Sequence, residues 1–110
     1  MLSKYRQMWL FTMFDLPVGT TAERKAATGF RNKLLKDGYA MFQFSVYVRH
    51  CGSPQLAHLH ERRLKLMVPD KGSVTVLMVT DQQYSTMKNY FGKHLHRPAQ
   101  RALPQLELFL

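Results

Sequence analysis

The sequence predicts an α+β sandwich, with two helices covering one face of a β-sheet. Three observations carry that prediction. Met8 to Phe14 is apolar on both alternating faces, aromatic-rich and too short for an ordinary helix, so it reads as a central strand. Two amphipathic stretches each open with a helix-start signal, Thr20-Thr21-Ala22-Glu23 and Ser53-Pro54. Ser73 to Thr80 is the clearest strand in the chain, entered through Lys71-Gly72.

Taken in order, the first strand needs cover on both faces. Helices supply one layer, and another sheet or another chain must supply the other. Asp15-Leu16-Pro17 ends the strand, because proline has no N–H for the ladder. Thr20 is the expected N-cap of the first helix and Glu23 its reciprocal partner. That helix runs to about Lys36, where Asp37-Gly38 stops it. Ala27, Phe30 and Leu34 recur at helical spacing and face the core, while Arg24, Lys25, Arg31 and Lys36 fall outside. Gly29 is expected to permit close approach of another element, at a cost of about 1 kcal/mol relative to alanine.

Tyr39 to His50 is aromatic and β-branched, and is long for one strand. One continuous strand and two strands meeting near Gln43-Phe44-Ser45 fit it equally well, since no Gly or Asn marks a turn. The second helix is expected from Pro54 to about Val68, with Leu56, Leu59, Leu64 and Met67 on its apolar side. His60 and Arg63 intrude there, the histidine as a packing residue and the arginine with its stem buried. After Thr80, Asp81 is expected to cap a short turn containing Gln82, Gln83 and Tyr84. The tail from Phe91 is basic and polar, carrying His94, His96, Arg97 and Arg101 between Pro98 and Pro104 or beside them. It closes in Gln105-Leu106-Glu107-Leu108-Phe109-Leu110, whose alternation reads as a strand seeking a sheet edge, its own or another's. The order of elements is that of a ferredoxin-like βαββαβ sandwich with an extra C-terminal strand. Residues 1–88 make the domain and 89–110 the tail and strand.

A chain of 110 residues buries one core, without room for a core plus a large enclosed site. No apolar stretch reaches the roughly 18 residues that span a bilayer. The run at Met8–Phe14 lacks a small-residue cleavage site, so no signal peptide is read and the expected location is cytoplasmic. A single cysteine, Cys51, allows no internal disulfide, as suits a reducing compartment. His50 beside it points to the opposite face of a strand, so the two do not make a metal site. Sixteen Lys and Arg against seven Asp and Glu give a net charge of +9. Such a balance attracts polyanions, and nucleic acid leads over membrane because no basic helix carries bulky apolar anchors.

The sheet face away from the helices is expected to carry Trp9, Phe11 and Met13. An aromatic face of that kind either stacks unpaired bases, as in RNA recognition motifs, or packs against a second copy. Twofold packing would bring together the ends of the two first strands, where Asp15 sits.

Several segments resemble the CRISPR-associated protein 2 family. They are Phe14-Asp15-Leu16-Pro17 after the first strand, Gly38 to Tyr47, and His60-Glu61-Arg62-Arg63-Leu64. Pro69-Asp70-Lys71-Gly72-Ser73-Val74 and Thr80-Asp81-Gln82-Gln83-Tyr84 follow in the same order. They look like the version that accompanies type II systems, while residues 94–104 match no family motif. The resemblance implies that residues 39–50 form two strands. It also implies a homodimer in which Leu106 and Leu108 of the C-terminal strand join the partner's sheet, with Trp9, Phe11 and Met13 at the interface. In the family this dimer bridges dimers of the CRISPR integrase and holds a fragment of duplex DNA during spacer acquisition. Some members are described as metal-dependent endonucleases acting on RNA or DNA.

Three mechanisms follow. A scaffold would grip duplex phosphates with Arg24, Lys25, Arg31, Lys36 and Arg49, with strong salt sensitivity and little sequence preference. A nuclease would use Asp15 as both catalytic and metal-binding residue. Two dyad-related carboxylates would share Mg2+ or Mn2+, which activates water for attack on a phosphodiester. A monomeric single-strand RNA binder would need a free aromatic face. Of the three, the scaffold ranks first.

Overall fold

The computed structural model describes residues 7–93. They form β1 (Met8–Asp15), α1 (Thr21–Lys36), β2 (Ala40–Gln43), β3 (Val46–Gly52), α2 (Pro54–Lys65), β4 (Ser73–Thr80) and α3 (Asp81–Ser85). The sheet order is β2-β3-β1-β4, with every neighbouring pair antiparallel, which is the ferredoxin-like arrangement. β1 is central, as its two apolar faces require. The proposed C-terminal strand with Leu106 and Leu108, and His94 and His96, lie outside the described residues.

Local chemistry sets the ends of α1. Thr20 and Glu23 close the reciprocal capping box, Glu23 N–H donating to Thr20 Oγ1 at 3.1 Å and Thr20 N–H to Glu23 Oε1 at 3.0 Å. At the other end Gly38 takes φ +93, a conformation that glycine adopts without Cβ strain. There Tyr39 N–H reaches the Leu34 carbonyl at 3.0 Å and Gly38 N–H that of Leu35 at 3.2 Å, a Schellman closure. Leu34 and Tyr39 meet in the same core cluster, completing the apolar contact that accompanies this motif.

Residues 39–50 divide between two strands at a turn made by Phe44 and Ser45. Ser45 supplies the positive φ of 63 that glycine or asparagine would ordinarily provide. Its carbonyl accepts from Phe14 N–H at 2.9 Å, so a tertiary bond holds the turn.

The helix-facing core gathers Leu10, Phe14, Phe30, Leu34, Tyr39, Tyr47, Cys51, Ala57 and Leu64. Ala27 is buried as expected, and so is Leu64 of α2, with Met67 packed against the same core, but the other two leucines of its predicted apolar side do not face inward. Ala57 and Leu64 are its buried residues, while Leu56 and Leu59 are exposed. His60 is half-buried, seated between those two positions on the inward side. The helix also ends sooner than predicted, at Lys65 with Leu66 as C-cap. Gly29 is not a point of close approach either, since a Cβ there would meet nothing within 4 Å. It borders an open groove of about 480 Å3 between α1 and the 66–71 loop.

The face away from α1 and α2 has a second cluster, built from Trp9, Phe11, Val48 and Tyr84, with Phe42, Val46, Val79 and Met87 packed against it. Tyr84 comes from α3, whose N-cap is Thr80 rather than Asp81, through a second capping box with Gln83. Its ring stacks on Trp9 at 3.8 Å with planes 2° apart. Asp81 instead accepts the Trp9 Nε1 hydrogen at 2.7 Å. The free aromatic face that a lone RNA binder needs is therefore closed at this end by the chain itself, with Trp9 only 2% exposed. Among the described residues, no helix is long and apolar enough to cross a membrane.

Candidate nucleic-acid interface and the Asp15 strand end

Asp15 is the last residue of β1 and is exposed, on the same alternation as Trp9, Phe11 and Met13. Its backbone is held from two sides. It pairs with Ser73 at the start of β4, and its neighbour Phe14 is bonded to the β2–β3 turn. Gly72 packs so closely that a Cβ there would lie 2.6 Å from the Asp15 carbonyl oxygen. Glycine also suits its φ of +92. The Asp15 carboxylate makes no hydrogen bond or ion pair with any described residue.

One carboxylate is a poor donor set for a divalent ion, which seeks about six oxygens. Among the described residues no three His, Cys, Asp or Glu side chains come together as a metal cluster. At this strand end the described residues therefore offer Asp15 alone. The residues fit Mg2+ or Mn2+ only where a second carboxylate is brought to the same place.

The predicted cations divide by what already engages them. Helical spacing puts Arg24 and Arg31 on one stripe of α1 and Lys25 and Lys36 on another. Arg24 folds back on the first turn, donating to the Val18 carbonyl at 3.1 Å and Thr21 Oγ1 at 3.3 Å. Arg31 donates to Thr28 Oγ1 at 3.1 Å. Lys25 and Lys36 are exposed, and neither is in an ion pair with a described residue. Arg49 stands apart. Its Nε donates to the Asp37 carbonyl at 2.6 Å and its Nη1 to the His50 carbonyl at 2.8 Å, so it caps the C-terminus of α1.

Sequence reasoning left His60 and Arg63 without definite partners. Arg63 pairs with Asp37, the buried C-cap of α1, and so ties α2 to the end of α1. Burial lowers the His60 pKa, and the Arg49 and Arg63 guanidiniums add to that, against the opposing pull of Asp37. Burial likewise raises the Cys51 thiol, which suits a packing residue rather than a nucleophile. Sequence reasoning also missed the α3 lid. Tyr84, its phenol pushed up to about 12 by burial and the Asp81 carboxylate, was visible in the short turn after β4. Its stacking partner lies 75 residues away, beyond the reach of any periodicity.

A model of the CRISPR associated protein Cas2 family matches residues 8–87 of this chain. The chain belongs to the Cas2 family. Among Cas2 relatives, a CRISPR-associated endoribonuclease Cas2 from Paracidovorax avenae is 48% identical over 109 residues, 99% of this chain and all of that protein. One from Flavobacterium psychrophilum is 44% identical over 110 residues, covering 98% of this chain and 93% of the relative. A third, from Parvibaculum lavamentivorans, is 45% identical over 102 residues, covering 93% and 100%. The Cas2 match takes in both ends of the sheet, from β1 with Asp15 through α3 with Tyr84. The family segments quoted from the sequence fall at structural junctions. Phe14–Pro17 is the β1 exit, Pro69–Val74 the β4 entry and Thr80–Tyr84 the α3 lid.

Proposed function

We propose that this Cas2-family chain acts in CRISPR adaptation as a homodimer that bridges integrase subunits and holds duplex DNA through the outer faces of its α1 helices. The observation that carries the reading is the pair of basic stripes on α1, Arg24 with Arg31 and Lys25 with Lys36, on a chain of net charge +9. Among the described residues none of the four is held in an ion pair. Duplex DNA presents a phosphate charge about every 1.7 Å, and each neutralised phosphate releases counterion, so binding should weaken steeply with salt. Arg49 contributes least, because α1 already uses its guanidinium.

The second reading is a metal-dependent endonuclease. It is favoured by the relatives' endoribonuclease names and by the uncommitted carboxylate of Asp15 on a tightly fixed strand end. Two copies related by a dyad through that end would bring two Asp15 carboxylates to a shared Mg2+ or Mn2+. Such an ion supplies charge stabilisation and an activated water. Asp15 would hold it, and the Ser73 pairing and the Gly72 contact would fix where Asp15 stands.

Spacer integration with the cognate integrase separates the two. Asp15→Asn, confirmed as a dimer, is expected to integrate like wild type, whereas Arg24→Glu with Lys25→Glu loses both duplex binding and integration. Loss of integration in an intact Asp15→Asn dimer would make the metal site essential and overturn the scaffold reading.

A further inference from the structure

We infer that the groove between α1 and the 66–71 loop receives an acidic amphipathic helix of the integrase subunit, on a surface other than the sheet face and the basic stripes of α1. The inference rests on the bridging reading and names the surface that such bridging requires. Gly29 gives the first reason. It lies in the interior of α1, where glycine is less favourable than alanine, and it has no positive φ that would call for glycine. Nothing in this chain uses its missing side chain, since a Cβ there would meet no atom within 4 Å. The space it leaves borders the groove of about 480 Å3.

The opposite wall gives the second reason. Leu66 and Val68 line the groove and are 87% and 39% exposed, above the buried Ala27 and Phe30. Helical spacing puts Leu59, Arg62 and Leu66 on one face of α2, all three exposed, so the apolar wall continues along that helix. Exposed apolar side chains gathered at a groove mark a contact surface. The charges select the occupant. Lys33 lines the groove from α1, and neither it nor Arg62 is in an ion pair with a described residue. Glu23, also in the lining, is already paired with Lys71 at 3.7 Å, which leaves the carboxylate of Asp70 against the two free cations. A phosphate backbone would match those cations but leave Leu66 and Val68 against polar surface. A helix with leucine-like side chains on one face and Asp or Glu beside them satisfies both.

The test uses the full-length protein and the purified cognate integrase. Gly29→Leu fills the groove while improving the helix propensity of α1, so it should fold. Leu66→Glu changes a side chain already in solvent. In titration calorimetry each should bind the integrase on the order of tenfold more weakly than wild type. Lys33→Glu with Arg62→Glu should weaken binding as well, and unchanged affinity there would overturn the acidic character of the partner. Wild-type affinity in both Gly29→Leu and Leu66→Glu would overturn the inference outright. Gly29→Leu should keep the duplex affinity and the oligomeric state of wild type. An equal loss of duplex binding would assign the groove to nucleic acid, and a change of oligomeric state would assign it to a second copy; either result overturns the inference. If wild type itself does not bind the integrase, the bridging reading fails and takes the inference with it, a result distinct from a loss confined to the groove variants.

Discussion

The two ends of the sheet face away from α1 and α2 are built differently. At the start of β1 the chain closes the face itself: Tyr84 lies flat on Trp9, Asp81 holds the indole N–H, and Met87 packs alongside. At the other end nothing among the described residues plays that part. Leu77 is 52% exposed, Thr75 and Asp15 are exposed, and Met13 is half-buried. The same strands therefore carry a finished core at one end and an open apolar patch at the other. The exposed carboxylate of Asp15 sits at the open end. In the proposed dimer, α3 would limit how much of the sheet a second copy covers. It narrows the expected dimer surface from Trp9, Phe11 and Met13 together to Met13 and its neighbours, with the outer edge of Phe11.

The largest change should come from opening the closed end. Tyr84→Ala removes a stacked ring over Trp9 and should cost about 3 kcal/mol in urea unfolding, in the range of large-to-small core substitutions. A loss below about 1 kcal/mol would mean that α3 is only loosely seated. At the open end, Gly72→Ala sets a Cβ against the Asp15 carbonyl in a backbone conformation unsuited to alanine. It should cost about 2 kcal/mol and impair integration more than Asp15→Asn does, because it moves the strand end. Asp81→Ala leaves the Trp9 N–H without its acceptor and should cost about 1 kcal/mol.

The smallest effect lies away from both ends. The His60 pKa is depressed below its ordinary 6.5, so the unfolded chain takes up its proton first as pH falls. The stability due to neutral His60 is thus complete above 6.5 and is lost as pH drops toward the folded-state value. Unfolding followed between pH 7 and about 5 should show stability falling in wild type and falling less in His60→Gln.

Where a signal was local, the sequence carried it. The Thr20–Glu23 box, the Gly38 stop, the ends of β1 and β4 and the place of Asp15 at the end of β1 all depend on residues within a few positions of each other. The rest depended on contacts that no window contains. The β2–β3 turn was ambiguous because Ser45 takes a positive φ without glycine, supported by a bond to distant Phe14. The inward side of the first half of α2 was misjudged because Leu56 and Leu59 outweighed Ala57, which is fully buried where the helix meets the sheet. The α1 cations were read correctly as outer residues, but the use of Arg49 as a cap for α1 follows only from β3 passing beside Asp37.

The most direct test of the account is the oligomeric state of Leu77→Glu by sedimentation equilibrium, beside wild type and with circular dichroism as a folding control. Leu77 is in the open patch and already half in solvent, so a charge there should leave the fold intact. The account predicts a wild-type dimer and a folded Leu77→Glu monomer that no longer supports integration. A Leu77→Glu protein that remains a tight dimer would contradict it, and would place the contact between copies elsewhere than on the open half of this face.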